Sequence, residues 1–170
     1  MRVLKFALAS AAALIIFSGS AYAIEVNKKI AAPGDPEDIW DMISDFCSIQ
    51  DWHPAVVECD ESEEGGDTYR LLTLKDGGKI KEKLLDQDDE SYTYAIVESP
   101  LPIKNYKSKI WVEEDPREQD RTVIHWDGTF DANGVSDEEA AKIVGGIYTD
   151  GLKSIKQIAL PPEDDEQDQD

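Results

Sequence analysis

Basic residues are scarce in this sequence, and their scarcity limits the partners that the protein can have. The chain contains 17 Lys and Arg against 37 Asp and Glu, which gives a formal net charge of −20. Such a chain is repelled by the phosphates of nucleic acids and by anionic lipid surfaces. We therefore exclude nucleic-acid binding and expect a soluble protein, or one that docks on a basic partner.

Motifs for covalent, redox or metal chemistry are also missing. The sequence has two Cys and two His, with no C-x-x-C-H for haem, no copper constellation and no G-x-S-x-G nucleophile motif. His53 and His125 lack a partner signature for nucleophilic catalysis. A structural zinc site usually takes four ligands, whereas Cys47, His53 and Cys59 stand six residues apart without a fourth donor. We predict no metal and no cofactor, and we assign no catalytic residue.

Long apolar runs are absent except at the N-terminus. There Arg2 and Lys5 precede a run of small and apolar residues that ends in the A-x-A of residues 21–23. This pattern predicts a secretory signal peptide over residues 1–23, cleaved after Ala23. Nothing later is long enough to cross a bilayer. We expect a periplasmic or secreted protein without a membrane span, with a formal charge of −22 once Arg2 and Lys5 are removed.

The remaining chain is predicted to form one domain, residues 24–159, followed by an acidic tail. About 147 residues are enough to bury a core, and no internal repeat is visible. The last residues, LPPEDDEQDQD, contain two prolines and six acids. This composition predicts a solvated, disordered tail over residues 160–170, which serves either solubility or docking on a cationic protein.

The order of predicted elements is strand, two short helices, six strands and a long helix. Residues 25–31 favour a first strand, helices follow from Pro36 and over 46–52, and six short β-rich runs between 55 and 130 are separated by turns. Ser136 to Glu139 form a capping box that begins a helix of about twenty residues. The pattern predicts an α+β fold in which a curved, seven-stranded antiparallel sheet grips the C-terminal helix.

A sheet that curves around one helix leaves a cavity, and strand alternation predicts its lining. In the helix, Ile147 recurs with the apolar residues at helical spacing, while Gly145, Gly146 and Gly151 either keep space beside the helix or allow close packing on the sheet. The expected lining faces are Tyr69, Leu71 and Thr73; Ile80, Glu82 and Leu84; Tyr106, Ser108 and Ile110; and Ile124, Trp126, Gly128 and Phe130.

These elements occur with motifs that resemble a known superfamily over residues 25–159. The motifs are DPEDIWDMISDF, IQDWHPAV, LTLKDGG, LPIKNYKS and EEAAKIVGGIY. Together they are similar to the START/Bet v 1-like (SRPBCC) superfamily, in its polyketide cyclase/dehydrase-like branch and nearest its MxaD-like periplasmic accessory proteins of methanol oxidation. The resemblance implies a helix-grip fold around a hydrophobic cavity that binds a small apolar or amphipathic molecule.

The resemblance also implies roles for particular residues. By similarity to plant hormone receptors of the superfamily, Tyr106 and Ser108 face the ligand and Glu82 joins a polar network. The short KDGG turn replaces the longer gating loop of those receptors. The accessory-protein branch implies a partner, a periplasmic dehydrogenase or its cytochrome acceptor. The alternatives are a cyclase-like enzyme that uses Glu82 or Asp127, and a protein-docking module with a vestigial cavity.

The segment FCSIQDWHPAVVECD, residues 46–60, is interpreted as a hinge between the short helices and the sheet. Trp52 packs this hinge near the cavity mouth, where Trp52 and His53 are predicted to contact the ligand. In an oxidising compartment Cys47 and Cys59 either form a disulfide or remain two buried thiols. Tyr69, Tyr94 and Trp126 are predicted as cavity aromatics, with core packing as the alternative for each. Glu82 is either a ligand-binding carboxylate or a solvated strand residue.

Overall fold

The computed structural model describes residues 23–161, which form one curved sheet, two short helices and a long helix. Residues 1–22 of the predicted signal peptide and most of the predicted acidic tail lie outside these residues. No helix among the described residues has the length and apolarity needed to cross a membrane. The elements are β1 (Ile24–Pro33), α1 (Pro36–Ile43), α2 (Ile49–Trp52), β2 (Val56–Glu64), β3 (Asp67–Leu74), β4 (Lys79–Gln87), β5 (Ser91–Glu98), β6 (Ile103–Glu114), β7 (Arg121–Ala132) and α3 (Asp137–Ile158).

The seven strands form a single antiparallel sheet with the order β1-β7-β6-β5-β4-β3-β2. Short turns join β2 through β7 in sequence, so each strand pairs with the next. Gly65, Gly66 and Gly77 occupy positive φ in the β2–β3 and β3–β4 turns, a conformation that glycine adopts without strain. The predicted helix-grip α+β architecture is confirmed, including both short helices after β1.

Local sequence signals account for the helix ends. Pro36 begins α1 at a position where its missing N–H is not needed. His53 ends α2 because it precedes a proline and is extended. Ser136 caps α3, and its side chain accepts a hydrogen bond from the backbone N–H of Glu139 at 3.2 Å. The second helix is shorter than predicted, since residues 46–48 form a turn instead.

The long helix α3 packs across the concave face of the sheet. At Gly128 on β7 an added Cβ would lie 2.1 Å from the Tyr148 hydroxyl, so the strand can carry no side chain there. An added Cβ at Gly151 would lie 2.7 Å from both His53 and Trp126. Gly151 therefore permits close packing against aromatic rings rather than keeping space open. Gly146 faces no neighbour within 4 Å.

A disulfide joins the short helices to the edge strand of the sheet. Cys47 precedes α2, Cys59 lies on β2, and their sulfurs are bonded with a Cα to Cα distance of 5.5 Å. Gln50 adds to this connection, because its side chain accepts a hydrogen bond from the Cys59 N–H at 3.0 Å. Of the two alternatives for Cys47 and Cys59, the structure contains the disulfide, so neither sulfur is available as a metal ligand.

Candidate functional site

A cavity of about 90 Å³ lies between the concave face of the sheet and α3. Partly exposed residues mark its rim at the turn after α2, the β3–β4 turn, the β5–β6 loop and the middle of α3. Most of the wall is aliphatic, with polar groups from a few side chains. The lining residues are Ile49, His53, Ala55, Val56, Leu72, Leu74, Ile80, Glu82, Tyr94, Ile96, Leu101, Tyr106, Trp126, Val144, Ile147 and Tyr148.

Glu82 lines the cavity and forms a buried ion pair with Arg70 on the neighbouring strand. The Arg70 Nε donates to Glu82 Oε2 at 2.6 Å, and Arg70 is 0% exposed. Burial raises the pKa of the Glu82 carboxyl, while the guanidinium opposes that rise. Burial disfavours the Arg70 charge, yet Glu82 and two tyrosines raise the pKa of Arg70 above its ordinary value. We therefore assign both groups as charged.

Aromatic rings and a backbone carbonyl hold the Arg70 guanidinium behind the cavity wall. It lies 4.0 Å from the ring centroid of Phe46 and donates a hydrogen bond to the Phe46 carbonyl. The Tyr94 ring centroid is 5.1 Å away on another side. Cation–π contacts of this kind favour a guanidinium that has been removed from water. Arg70 does not itself line the cavity, so its charge is presented to the interior only through Glu82.

A chain of buried hydroxyl groups forms the other polar part of the wall. Burial raises the pKa values of Tyr94, Tyr106 and Tyr148, so all three remain neutral phenols. Trp126 stacks on Tyr148 with the ring centroids 4.5 Å apart. The contacts are Trp126 Nε1 to Tyr94 at 3.0 Å and to Ser108 at 3.1 Å, Tyr94 to Tyr106 at 3.1 Å, Tyr106 to Tyr148, Tyr148 to Ser108 at 3.0 Å, and Ser108 to the Asp127 carbonyl at 2.6 Å.

His53 links the turn after α2 to the middle of α3. Its Nε2 lies 3.1 Å from the Ile147 carbonyl, and its Nδ1 lies 3.2 Å from the Ala55 backbone nitrogen. A carbonyl only accepts and an amide only donates, so Nε2 carries the proton and the ring is neutral. Burial lowers the pKa of His53, Arg70 contributes in the same direction, and Asp150 opposes it together with the Ile147 hydrogen bond.

The structure brings most of the predicted site residues together. Glu82, His53, Tyr106, Trp126 and Ile147 line the cavity. Two others, Ser108 and Trp52, lie one layer behind the wall.

Ser108 is buried beneath the Tyr148 hydroxyl and supports the wall without lining it. Trp52 packs behind His53 and against Trp126, and the ring centroids of Trp52 and Trp126 are 5.6 Å apart. Both residues therefore position lining groups. Trp52 fills the hinge between the helices and the sheet as predicted, but the expectation that it contacts the ligand is wrong, because it does not line the cavity.

The expectation that Tyr69 lines the cavity is wrong. Tyr69 lies on the outer face of β3, where Lys81 Nζ is 4.7 Å from its ring centroid. The inward residues of β3 are Arg70, Leu72 and Leu74. Both faces of this strand carry apolar side chains, so alternation alone did not show which face is inside.

Among the polar residues of the site, Arg70 and Tyr148 were not predicted from the sequence. Arg70 could have been found from the hairpin register, because a turn at KDGG places it directly opposite Glu82. A buried carboxylate on β4 then requires an opposite charge nearby. Tyr148 follows a helix period, but that pattern equally indicates a packed core. Tyr94, predicted as a cavity aromatic or a core residue, does line the cavity. Their hydroxyl contacts depend on four separate elements.

The fold and the site together define the class of protein: an α+β helix-grip domain that encloses an apolar cavity with a polar wall. Residues 23–159 match the family described as polyketide cyclase / dehydrase and lipid transport. No curated protein matches the chain. The chain belongs to this family, within the START/SRPBCC superfamily, as its motifs predict.

Solved structures agree with this assignment. The protein XoxI from Bacillus cereus is 38% identical, with a TM-score of 0.75 over 79% of this chain and 94% of that one. A protein from Bacillus thuringiensis is 37% identical, with a TM-score of 0.75 over 81% of this chain and 99% of that one. An aromatase/cyclase from Streptomyces sp. R1128 is 14% identical over 81% of this chain and 94% of its own, and its TM-score of 0.65 shows a shared fold alone.

Proposed function

We propose that this protein binds a small, mostly apolar molecule in the cavity between the sheet and α3. The observation that carries the proposal is a wall of aliphatic side chains with its polar groups confined to Glu82, His53 and the tyrosine cluster. Such a composition is typical of ligand pockets, in which a few polar groups orient an apolar body. Membership of a family described by cyclases and lipid transport supports the same conclusion.

The cavity volume limits the size of the molecule. About 90 Å³ corresponds to roughly six water-sized volumes at about 15 Å³ each. A short branched chain fits this space. Benzene binds in an apolar cavity of about 150 Å³, so a single ring requires a small displacement of the rim. A steroid or a long acyl chain requires displacement of the rim at the β3–β4 turn and the β5–β6 loop.

Binding is favoured over catalysis by the state of the two acids on which an enzyme would depend. Glu82 is held by Arg70, so its carboxylate is a poor proton donor. Asp127 lies on the outer face of β7, between the inward residues Trp126 and Gly128. Partial burial raises the pKa of Asp127, but its position keeps it from a cavity ligand. The cyclase-like alternative therefore has no free acid in this cavity among the residues that the structure describes.

The proposal is tested by filling the cavity. Ile96 lines the cavity, whereas its neighbour Val97 is 51% exposed on the outer face. Ile96→Trp is expected to abolish the binding of p-xylene measured by calorimetry, and Val97→Trp is expected to leave it unchanged. Native mass spectrometry of protein purified from its own cells is expected to show a retained small molecule. Equal binding by both variants would place the ligand elsewhere.

A second proposal concerns a partner: an accessory role beside a periplasmic dehydrogenase or its cytochrome acceptor. It is supported by the 38% identity to XoxI and by the acidic edge strand β2, where Glu58, Asp60, Glu61 and Glu63 are exposed. An acidic edge suits docking on a basic face, with an association rate that falls as salt increases.

Export and docking are tested separately. N-terminal sequencing of protein from the periplasmic fraction is expected to begin at Ile24. Salt-sensitive co-purification with a dehydrogenase or cytochrome, weakened by Glu61→Lys with Glu63→Lys, is the expected sign of docking. Met1 at the N-terminus of the mature protein would contradict export, and co-purification that is indifferent to these substitutions would contradict docking through β2.

A further inference from the structure

The direction of every hydrogen bond in the hydroxyl chain follows from its two ends. The Asp127 carbonyl can only accept, so the Ser108 hydroxyl donates its proton there at 2.6 Å. Ser108 then has no proton left, and the Tyr148 hydroxyl must donate to Ser108 Oγ at 3.0 Å. The proton of Tyr148 is thereby committed to a group behind the cavity wall.

The same reasoning gives the directions of the remaining hydrogen bonds in the hydroxyl chain. Tyr106 donates to Tyr148, because the proton of Tyr148 is already used. Tyr94 donates to Tyr106 at 3.1 Å, and the indole N–H of Trp126 donates to Tyr94 at 3.0 Å and to Ser108 at 3.1 Å. Each tyrosine oxygen keeps acceptor capacity, but each tyrosine proton already has an acceptor.

The other polar groups of the lining also have no free proton to donate to a ligand. The Nε2 proton of His53 is donated to the Ile147 carbonyl, and its Nδ1 lone pair accepts from Ala55. Glu82 is a carboxylate, which only accepts, and its charge is balanced by Arg70. Among the side chains that line this cavity in residues 23–161, every donor is committed, while acceptor oxygens remain. Arg70 Nη2 is buried without a partner, but Arg70 does not line the cavity.

We propose that the cavity selects a neutral ligand that donates a hydrogen bond, a hydroxyl or N–H compound, and rejects carboxylates and ethers of the same shape. This inference rests on the proposed binding function. A carboxylate would place its oxygens against Glu82 and tyrosine oxygens that have no proton to offer, which leaves it desolvated and unpaired. A cationic ligand gains little electrostatic attraction from Glu82, because Arg70 already balances the charge of that carboxylate.

Three probes of similar shape test the selection: p-cresol, p-methylanisole and p-toluate, titrated by calorimetry into the full mature chain. We expect p-cresol to bind about 10- to 100-fold more tightly than p-methylanisole, the factor for one buried hydrogen bond, and p-toluate to bind most weakly. Equal affinity for p-cresol and p-methylanisole, or tighter binding of p-toluate, would overturn the inference and leave the binding function intact. If none of the probes binds, both this inference and the proposed binding function fail.

Two phenylalanine variants test the assigned donor and acceptor roles of the tyrosine hydroxyl groups. Tyr106→Phe removes the acceptor of the Tyr94 proton, so Tyr94 becomes a free donor and the preference for p-cresol over p-methylanisole is expected to shrink at least severalfold. Tyr94→Phe removes one acceptor oxygen but frees no proton, because the Trp126 N–H still reaches Ser108, so the preference is expected to fall less than in Tyr106→Phe. Tyr69→Phe, on the outer face, is the control for loss of a phenol. An equal loss of preference in the Tyr106 and Tyr94 variants would overturn the assigned direction.

Discussion

Replacing Gly151 by alanine tests how closely α3 packs on the aromatic residues behind the cavity. In a helix, alanine is favoured over glycine by about 1 kcal/mol. In this structure the new Cβ would lie 2.7 Å from ring carbons of His53 and Trp126 and 3.1 Å from Trp52. All three rings are buried, so none can move away into solvent. Overpacking of a core costs about 1–3 kcal/mol, and two simultaneous close contacts indicate the upper end.

The expected net effect of Gly151→Ala is therefore a loss of about 2 kcal/mol in the free energy of unfolding. Gly146→Ala, on the same helix with nothing within 4 Å, is the matched control and is expected to gain about 1 kcal/mol. Urea denaturation at unchanged m-value measures both. A Gly151→Ala protein at least as stable as the wild type would refute the packing argument. A loss of stability in both variants would assign the effect to the helix backbone.

Three further outcomes follow from the buried polar groups and the disulfide. Glu82→Ala is expected to destabilise the fold by about 3–5 kcal/mol in urea denaturation, because it leaves Arg70 buried and unpaired, whereas Glu82→Leu with Arg70→Leu is expected to recover much of that loss. Burial lowers the pKa of His53 below 6.5, so the unfolded chain binds more protons and stability falls as the pH drops below that value. The slope in stability against pH is expected to be smaller in His53→Gln, and an unchanged slope would contradict the neutral assignment. Cys47→Ser with Cys59→Ser is expected to cost about 3 kcal/mol, and alkylation of the unreduced, denatured wild type is expected to label neither thiol.

The order of elements was predictable because each depends on local pattern. The capping box at Ser136, the proline at the start of α1 and the turn glycines between strands all act within a few residues. The motifs around these elements also identified the superfamily, which the family match confirms. The cavity position of Glu82 and Tyr106 followed from strand alternation together with the resemblance.

The site itself was only partly predictable. Alternation sorts the residues of β3 into two faces, but both faces contain apolar side chains. Only the packing of Arg70 on Phe46 and Tyr94 shows that Arg70 rather than Tyr69 points inward. A large effect of Glu82 on stability was not expected from the sequence either. It follows from the ion pair with Arg70, which depends on the register between β3 and β4.

By itself the sequence determined the strands, the helices, their order and the acidic character of the protein, because periodicity, capping and charge are properties of neighbouring residues. Tertiary structure decided which face of β3 is buried, why Gly151 has no side chain, and which way the protons of Tyr94, Tyr106 and Tyr148 point. Those features depend on groups that are distant in the chain. A hydroxyl group donates only one proton, so its direction is set by partners that the fold brings within 3 Å or so.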